Sequence, residues 1–508
     1  MKLDYNLAPM TATLIPFPQS LRPPLPTIEG NVDYRKMRAE LLRIEELLTQ
    51  SGAEQQFIRL CLERWLAARE FAQDVPAKAQ LNFQLHSRRA LRCNILRTYL
   101  QEDFRGFAAR LADSPLFQHF CGLSQLDKVV VPAKSTLQRY AHWAEKSTLD
   151  QVANQVLRRA AHQPKALQLA KAIDLEAAFL DTTCLQVNIH YPVDWVLLRD
   201  ATRTLMKAVQ LIRAQGLRLR MEEPALFMKR MNRLCIQMTH TSKKTNPRKH
   251  RRKVLRQMDK LVGSVSAHAK RYRHLLDAQW EKTEWTRPQA EQVLRRLDNV
   301  LQQLPAAREQ AWQRLIREEP VRNEKKILSL YESAVRVVVR HKAGAEVEFG
   351  NTLLLAESRQ GLILDWELFE ESAPADSRLV KRSVERMEKQ LKIKIKEVGA
   401  DRGFDSAANQ ERLRKNKTYN GICPRDPHQL KERLGSWKFR QLQRRRSQSE
   451  GRISIILHNF LGSPIRDKGF AHRQLAVGWG VFTHDLWVLA RLPKRKLKRA
   501  VAPQRLAA

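Results

Sequence analysis

Three acidic residues of this chain have surroundings that suit metal-dependent chemistry. Asp401 ends an apolar segment that contains Ile395 and Val398, and Asp181 ends another apolar segment. Glu450 lies among arginines in a segment with a helical pattern. Carboxylates are the hard oxygen ligands of paired divalent cations, which activate water or a 3' hydroxyl and stabilise a leaving oxygen. We therefore take Asp181, Asp401 and Glu450 as candidate ligands of one metal site, although spacing alone leaves their convergence open.

The elements that must position these acids follow from local patterns. Segment 394–406 predicts a short strand that stops at Asp401 and turns into a helix opened by Ser406. Segment 173–183 predicts a strand that stops at Asp181. Three consecutive antiparallel strands are predicted at 334–340, 347–357 and 362–368. They are followed by a predicted helix at 376–391, one further strand at 421–424 and a mostly helical run at 428–460.

Five blocks of the sequence resemble, in this order, blocks of the DDE transposases of bacterial insertion sequences. These blocks are Asp181–Thr183, Asn188–Asp194, Val347–Gly350, Ala400–Ser406 and Ser449–Ile453. The resemblance implies a fold of the α+β or α/β class, with a ribonuclease H-like mixed sheet flanked by helices. It further implies an N-terminal all-α domain and a long all-α insertion after the first catalytic strand.

The same resemblance implies an activity and a cofactor. Asp181, Asp401 and Glu450 would be the catalytic residues and would hold two Mg²⁺ ions, with Mn²⁺ as a possible substitute. The chain departs from the wider family around Glu450, because Gln443 stands at the usual Tyr place and Leu457 at the usual Lys place. These departures put the residues that assist the acids in doubt, but not the acids themselves.

The charge of the chain predicts a polyanionic partner. Lys and Arg number 91 against 53 Asp and Glu, which gives a formal charge of +38. The N-terminus lacks a signal-like apolar core, and no apolar stretch is long enough to span a membrane. We expect a soluble cytoplasmic protein associated with the bacterial nucleoid, with no membrane partner. The six cysteines form no C-x-x-C pair, so we expect buried, reduced thiols.

The pattern along the chain divides it into five parts. We predict a disordered leader (1–30), a helical DNA-binding domain (31–170), a catalytic domain in two segments (171–202 and 330–492), a helical insertion (203–329) and a basic tail (493–508). The resemblance implies double-stranded DNA as the partner, both the terminal inverted repeats of the element and the target DNA. A homodimer or larger assembly is expected on that DNA.

Three groups of residues are candidates for DNA binding. Gln138 and Arg139 lie on a predicted helix capped by Ser135, with Lys134 just ahead of it. This helix either enters a major groove or belongs to a structural bundle. A dense basic run, interpreted as a phosphate-binding loop at Pro247, contains Lys243, Lys244, Arg248, Lys249, Arg251, Arg252 and Lys253. The third group, expected near the acids, consists of Arg402, Arg444, Arg445 and Arg446.

Two other functions stay open at this point. One is a nuclease of the same fold that hydrolyses nucleic acid without strand transfer. The other is a DNA-binding protein derived from a transposase but catalytically inactive. Glu348 remains a possible fourth ligand, whereas His190, Asp194 and Asp200 are interpreted as caps or satisfied polar groups.

Overall fold

The structure is a computed structural model that describes residues 12–16, 23–69, 75–124, 128–243, 245–342 and 345–495. Lys244, Ala343 and Gly344 between the first two of the predicted consecutive strands, and the tail beyond Arg495 lie outside the described residues. The described part of the chain is a mixed α/β structure in which helices flank one sheet. The predicted combination of a mixed sheet with flanking helices is therefore confirmed at this level.

Six strands form the sheet within the described residues. They are β1 (Ala177–Gln186), β2 (Arg336–Lys342), β3 (Ala345–Glu357), β4 (Ile363–Leu368), β5 (Glu397–Ala400) and β6 (Tyr419–Ile422). Strand β3 pairs antiparallel with β1 along one edge, and with β2 and β4 along its other edge. Strand β5 is parallel to β1, and β6 is parallel to β5. The β1–β5–β6 side of the sheet is therefore parallel, and the β1–β3–β4 side is antiparallel.

The N-terminal helices pack on the sheet rather than forming a separate body. They are α1 (Val32–Gln50), α2 (Ala53–Ala67), α3 (Ala77–Leu100), α4 (Phe104–Asp113), α5 (Pro115–Cys121), α6 (Lys134–Ala141) and α7 (Lys146–His162). Their buried residues, such as Leu91 and Val152, belong to one hydrophobic cluster with Leu180 of β1 and Val398 of β5. One continuous core therefore joins the helical region to the sheet.

The two chain ends lie partly against this core. Ala12 N–H donates to Glu63 Oε1 (3.3 Å), and Leu25 packs against the core. At the other end, Ala170 N–H donates to the carbonyl of Pro493 (2.9 Å), and Arg495 N–H donates to that of Gln168 (3.0 Å). The described pieces of the predicted leader and of the predicted tail thus make ordered contacts.

A bundle of four helices follows β1 and has its own hydrophobic core. The helices are α8 (Asp194–Ala214), α9 (Pro224–Thr239), α10 (Pro247–Gln279) and α11 (Arg287–Trp312). Helix α8 starts before the predicted boundary at residue 203, and its early residues Leu197 and Leu198 already belong to the bundle core. Gln310 Nε2 donates both to Asp194 Oδ1 (2.8 Å) and to the carbonyl of Ile327 (3.0 Å). The two ends of the bundle therefore lie close together, as an insertion requires.

The C-terminal part completes the sheet and covers it. Its helices are α12 (Asp376–Leu391), α13 (Ala407–Lys415), α14 (Pro427–Leu434), α15 (Trp437–Arg446), α16 (Ser449–Ile456) and α17 (Phe470–Arg491). Helix α17 is largely buried, and its Arg473 donates to Asn351 Oδ1 of β3 (3.0 Å) and also contacts Glu332. The strands and the helix predicted between residues 334 and 391 are confirmed, with bounds that differ by no more than a few residues.

No helix among the described residues is long and apolar enough to cross a membrane. All six cysteines are free thiols, as expected, and burial raises the pKa of the Cys61 thiol to about 12.

Candidate functional site

Asp181 and Asp401 lie beside each other on neighbouring parallel strands. The register pairs Phe179 of β1 with Gly399 of β5, and each aspartate lies two residues beyond its member of that pair. Asp401 ends β5, as predicted. The prediction that Asp181 ends its strand is wrong, because β1 runs on to Gln186 in antiparallel pairing with β3.

A backbone donor orients each of these two carboxylates. Asp401 Oδ1 accepts from the N–H of Gly403 (2.8 Å) and so caps a short 3-10 turn. Asp181 Oδ1 accepts from the N–H of Thr182 (2.8 Å). A hydrogen bond of this kind restricts the rotation of the carboxylate. The backbone of β1 and the turn after β5 therefore orient the two acids.

A third aspartate, which was not selected from the sequence, lies next to Asp401. Asp376, the first residue of α12, accepts from Thr182 Oγ1 at 3.2 Å. A Cβ atom added to Gly403 would lie 3.0 Å from Asp401 Oδ1 and 3.1 Å from Asp376 Oδ2, so the two carboxylates are close neighbours. An acid in the first turn of a helix is ordinarily explained by the helix dipole, so no sequence signal distinguishes Asp376 from a helix-start acid.

The helix that carries Glu450 is anchored over β1. Ser449 Oγ donates to Glu357 Oε1, and Arg445 Nη1 donates to the same oxygen (3.0 Å). Glu357 is paired with Phe179 of β1, and the Arg445 guanidinium lies 4.7 Å from the Phe179 ring centroid. Since side chains alternate along a strand, Phe179 and Asp181 face the same side of the sheet. Helix α16 therefore lies on the face of the sheet that carries Asp181.

Glu450 itself is exposed in the first turn of α16. In the part of the chain that the structure describes, no three His, Cys, Asp or Glu side chains lie close enough together to hold a metal ion. The two aspartates are thus brought together, whereas Glu450 does not complete a metal-binding group with them in this arrangement. Arg452 contributes to the positive surroundings, and its pKa is lowered because it is partly buried and because Arg445 repels its charge.

The arginines expected near the acids differ in their roles. Arg445 donates to the carbonyls of Ser358 (2.6 Å) and Arg359 (2.9 Å) as well as to Glu357, so its guanidinium is committed to packing. Its role in DNA binding stays a prediction. Arg402 and Arg444 are exposed and Arg446 is half-buried, so these three remain available for phosphate contacts.

The basic run begins a helix, so the prediction of a loop at Pro247 is wrong. Pro247 is the first residue of α10, and Asn246 caps the helix by accepting from the N–H of Lys249 (3.2 Å). A proline at this position is favourable because its missing N–H would have had no partner. The described basic side chains of this helix start are Arg248, Lys249, Arg252 and Lys253, which are exposed, and Arg251, which is half-buried.

Lys243 belongs to the short 3-10 turn Thr241–Lys243 that precedes this helix. The helix proposed for groove reading is α6, where Lys134, Gln138 and Arg139 are all exposed. Leu137 and Tyr140 bury the opposite face. The predicted cap at Ser135 is wrong, because the helix starts one residue earlier and Ala133 is its N-cap.

Other polar residues near the site have structural partners. Gln443 Nε2 donates to the carbonyl of Gly421 (2.6 Å) and so ties α15 to β6. Glu348 accepts from Gln186 Nε2 (3.1 Å). Asp194 binds Arg314 (2.9 Å), and Asp200 pairs with Arg199 and Arg203.

Comparison with protein-family models, with curated proteins and with solved structures found no match. The proposed function therefore rests on the sequence blocks and on the pairing of β1 with β5.

Proposed function

We propose that the protein is a DDE-type DNA transposase that binds the ends of a mobile DNA element and catalyses metal-dependent DNA cleavage and strand transfer. The observation that carries this proposal is the placement of Asp181 and Asp401 side by side on parallel strands β1 and β5. The anchoring of the Glu450 helix on the Asp181 face adds to it. The strand layout, with β1, β3 and β4 antiparallel and β5 and β6 parallel to β1, supports a ribonuclease H-like sheet.

The donor chemistry of these residues fits divalent cations. Carboxylate oxygens are the preferred ligands of Mg²⁺ and Mn²⁺, and two such carboxylates lie on the neighbouring strands β1 and β5, each oriented by a backbone N–H. Asp181 and Asp401 would hold the ions, and Glu450 would be the third donor. Two such ions, when bound, activate a water or a 3' hydroxyl and stabilise the leaving oxygen. The protein residues orient the ions and the DNA strand, and no covalent enzyme intermediate is required.

The charge distribution supports double-stranded DNA as the substrate. The formal charge of +38 and the exposed cations of α6 and α10 would hold phosphates by a salt-dependent attraction. The proposed partners are the terminal inverted repeats of the element and the target DNA. Because two ends must be handled together, we propose a homodimer or larger assembly on DNA, in the cytoplasm at the bacterial nucleoid.

The decisive experiment is cleavage of end-labelled element DNA by variants of the acids. We expect Asp401→Asn and Glu450→Gln to lose at least ~100-fold in cleavage rate, because each removes a donor worth several kcal/mol to the transition state. Both should still shift DNA in a gel. The matched control is Glu411→Gln, which changes a partly exposed acid of α13 that pairs with Arg414 and should cleave like the parent.

Other outcomes lead to other functions. Cleavage without joining of pre-cleaved ends would identify a nuclease. DNA binding by a parent protein that never cleaves would identify an inactive, transposase-derived binding protein. Cleavage that persists after removal of divalent metal would overturn the proposal.

A further inference from the structure

The helical bundle carries an unusual share of the charge of the molecule. Residues 194–330 contain 31 Lys and Arg but 14 Asp and Glu, a net charge of +17 out of the +38 of the whole chain. At one end of the bundle, five of these acids lie in or directly beside the loops that join α8 to α9 and α10 to α11: Glu222, Glu223, Asp277, Glu281 and Glu284. The N–H of Glu284 donates to Gln215 Oε1 (3.0 Å), so the two loops at that end meet.

The opposite end of the bundle, next to the sheet, is the basic one. Here Arg248 at the start of α10 pairs with Glu318 (2.7 Å), and Arg314 binds Asp194 at the start of α8 (2.9 Å). The starts of α8 and α10 and the end of α11 therefore meet. We call this end, formed by residues 245–253 and 313–318, the bundle base.

A groove of about 510 Å³ runs across the bundle base. Four cations line it, Arg248, Lys249, Arg252 and Arg317, and the one acid among its lining residues is Glu318, which pairs with Arg248. The first turn of α10 has no acid, so these cations lie at the positive end of the helix dipole. Such an arrangement is unfavourable by itself and becomes favourable when an anion covers it.

An exposed aromatic residue lies beside the bundle base. Tyr191, in the segment between β1 and α8, is 77% exposed, yet its ring packs edge-on against Phe349 of β3 at 5.7 Å. Tyr191 is three residues before Asp194, which binds Arg314 of the bundle base. A fixed, exposed aromatic ring next to cations is the combination that binds a base of a nucleic acid.

The distance between the bundle base and the candidate metal ligand Asp181 follows from the length of β1. The strand leads from Asp181 to Val187, whose N–H donates to the carbonyl of Phe349 (3.1 Å), under Tyr191. Six residues of extended chain span roughly 20 Å, which is about six nucleotide steps of DNA. We infer that the bundle base binds the phosphate backbone of duplex DNA about six nucleotides from the cleaved bond, with Tyr191 stacking on a base that is unpaired there. This inference rests on the proposed function for the location of the cleaved bond.

The salt dependence of DNA binding tests the backbone contact without any cleavage. In Lys249→Ala/Arg252→Ala, the slope of log K against log salt should fall in magnitude by about 2, because two phosphate contacts are lost. The control, Lys270→Ala/Arg271→Ala, removes the same charge from two exposed residues farther along the same helix and should leave the slope unchanged.

Equal slopes for the two double variants would overturn the inference. It would also be overturned if Lys249→Ala/Arg252→Ala lost affinity for anionic vesicles but kept its full affinity for DNA. These results are distinguishable from failure of the proposed function, which would appear as a parent protein that binds DNA normally but does not cleave it. In hydroxyl-radical footprints, DNA bound to Lys249→Ala/Arg252→Ala should lose protection about six nucleotides from the cleaved bond.

Tyr191 has its own test. Tyr191→Ala should weaken binding to DNA that carries an unpaired base at that distance by roughly 5- to 100-fold, the range of one lost stacking contact. Tyr191→Phe keeps the ring and should bind like the parent. Equal binding by the alanine and phenylalanine variants would show that the Tyr191 ring does not contribute to DNA binding.

Discussion

Arg444 and Arg445 are neighbours in the chain but have opposite surroundings. Arg444 is exposed, whereas the Arg445 side chain is 10% exposed and pairs with a Glu357 side chain that is 5% exposed. We expect Arg445→Ala to lower the free energy of unfolding by ~3–5 kcal/mol, because it leaves a buried carboxylate without its cation. Arg444→Ala should change it by less than ~0.5 kcal/mol. Urea unfolding followed by circular dichroism measures the stability of both variants. Equal midpoints would contradict the structural role of Arg445.

Asp376 offers a second prediction at the scale of one residue. Asp376→Asn keeps an oxygen that can accept from Thr182 but removes a negative charge beside Asp401. We expect the Mg²⁺ concentration for half-maximal cleavage to rise roughly tenfold or more, since a nearby charge acts strongly on a cation. Affinity for DNA should stay the same. Glu385→Gln, which removes an exposed acid from the same helix, is the control, and an identical metal requirement in both variants would exclude Asp376 from the site.

At the scale of the elements, the pairing of β1 with β3 places Asp181, and Gly350 permits that pairing. A Cβ atom at residue 350 would lie 2.1 Å from the carbonyl oxygen of Leu185, which is backbone and cannot turn away. We expect Gly350→Ala to cost at least ~2 kcal/mol of stability through overpacking. Gly263→Ala in α10 meets nothing within 4 Å and should instead stabilise by up to ~1 kcal/mol. Thermal unfolding of the two variants should shift in opposite directions.

Periodicity predicted elements well where the signal is local. The helix expected at 376–391 has those bounds, and the strand expected to stop at Asp401 stops there. Local patterns failed where a distant partner decides. The apolar run that ends at Asp181 does not end β1, because residues beyond it find partners on β3, which lies more than 150 residues later in the chain.

The candidate site was predictable to a similar degree. Sequence blocks selected Asp181 and Asp401, which the fold does bring together. Three consecutive arginines look alike in a sequence, so only Glu357 beneath Arg445 separates that residue from its neighbours. Pro247 was interpreted as a loop signal, yet proline is equally suited to the first position of a helix.

For the whole molecule, the division of hydrophobic cores differs from the division suggested by the sequence. The predicted N-terminal domain shares one core with the sheet and with Trp479 of α17, whose indole N–H donates to the carbonyl of Ala141 (3.2 Å). The bundle of α8–α11 has a core of its own. Helical periodicity is the same in both regions, so it cannot tell a helix that covers a sheet from one that packs only on other helices.

This difference predicts how the molecule responds to deletion. Replacing residues 195–329 by a Gly/Ser linker of about six residues should leave a chain that unfolds in one cooperative transition, because the ends of the bundle lie close together and the main core stays intact. Deleting residues 31–170 exposes one side of the sheet and should abolish cooperative unfolding. Calorimetry of the two deletions decides the point. If the chain without the bundle fails to fold while the chain without the N-terminal helices folds, the sheet depends on the bundle and not on the helices that cover it.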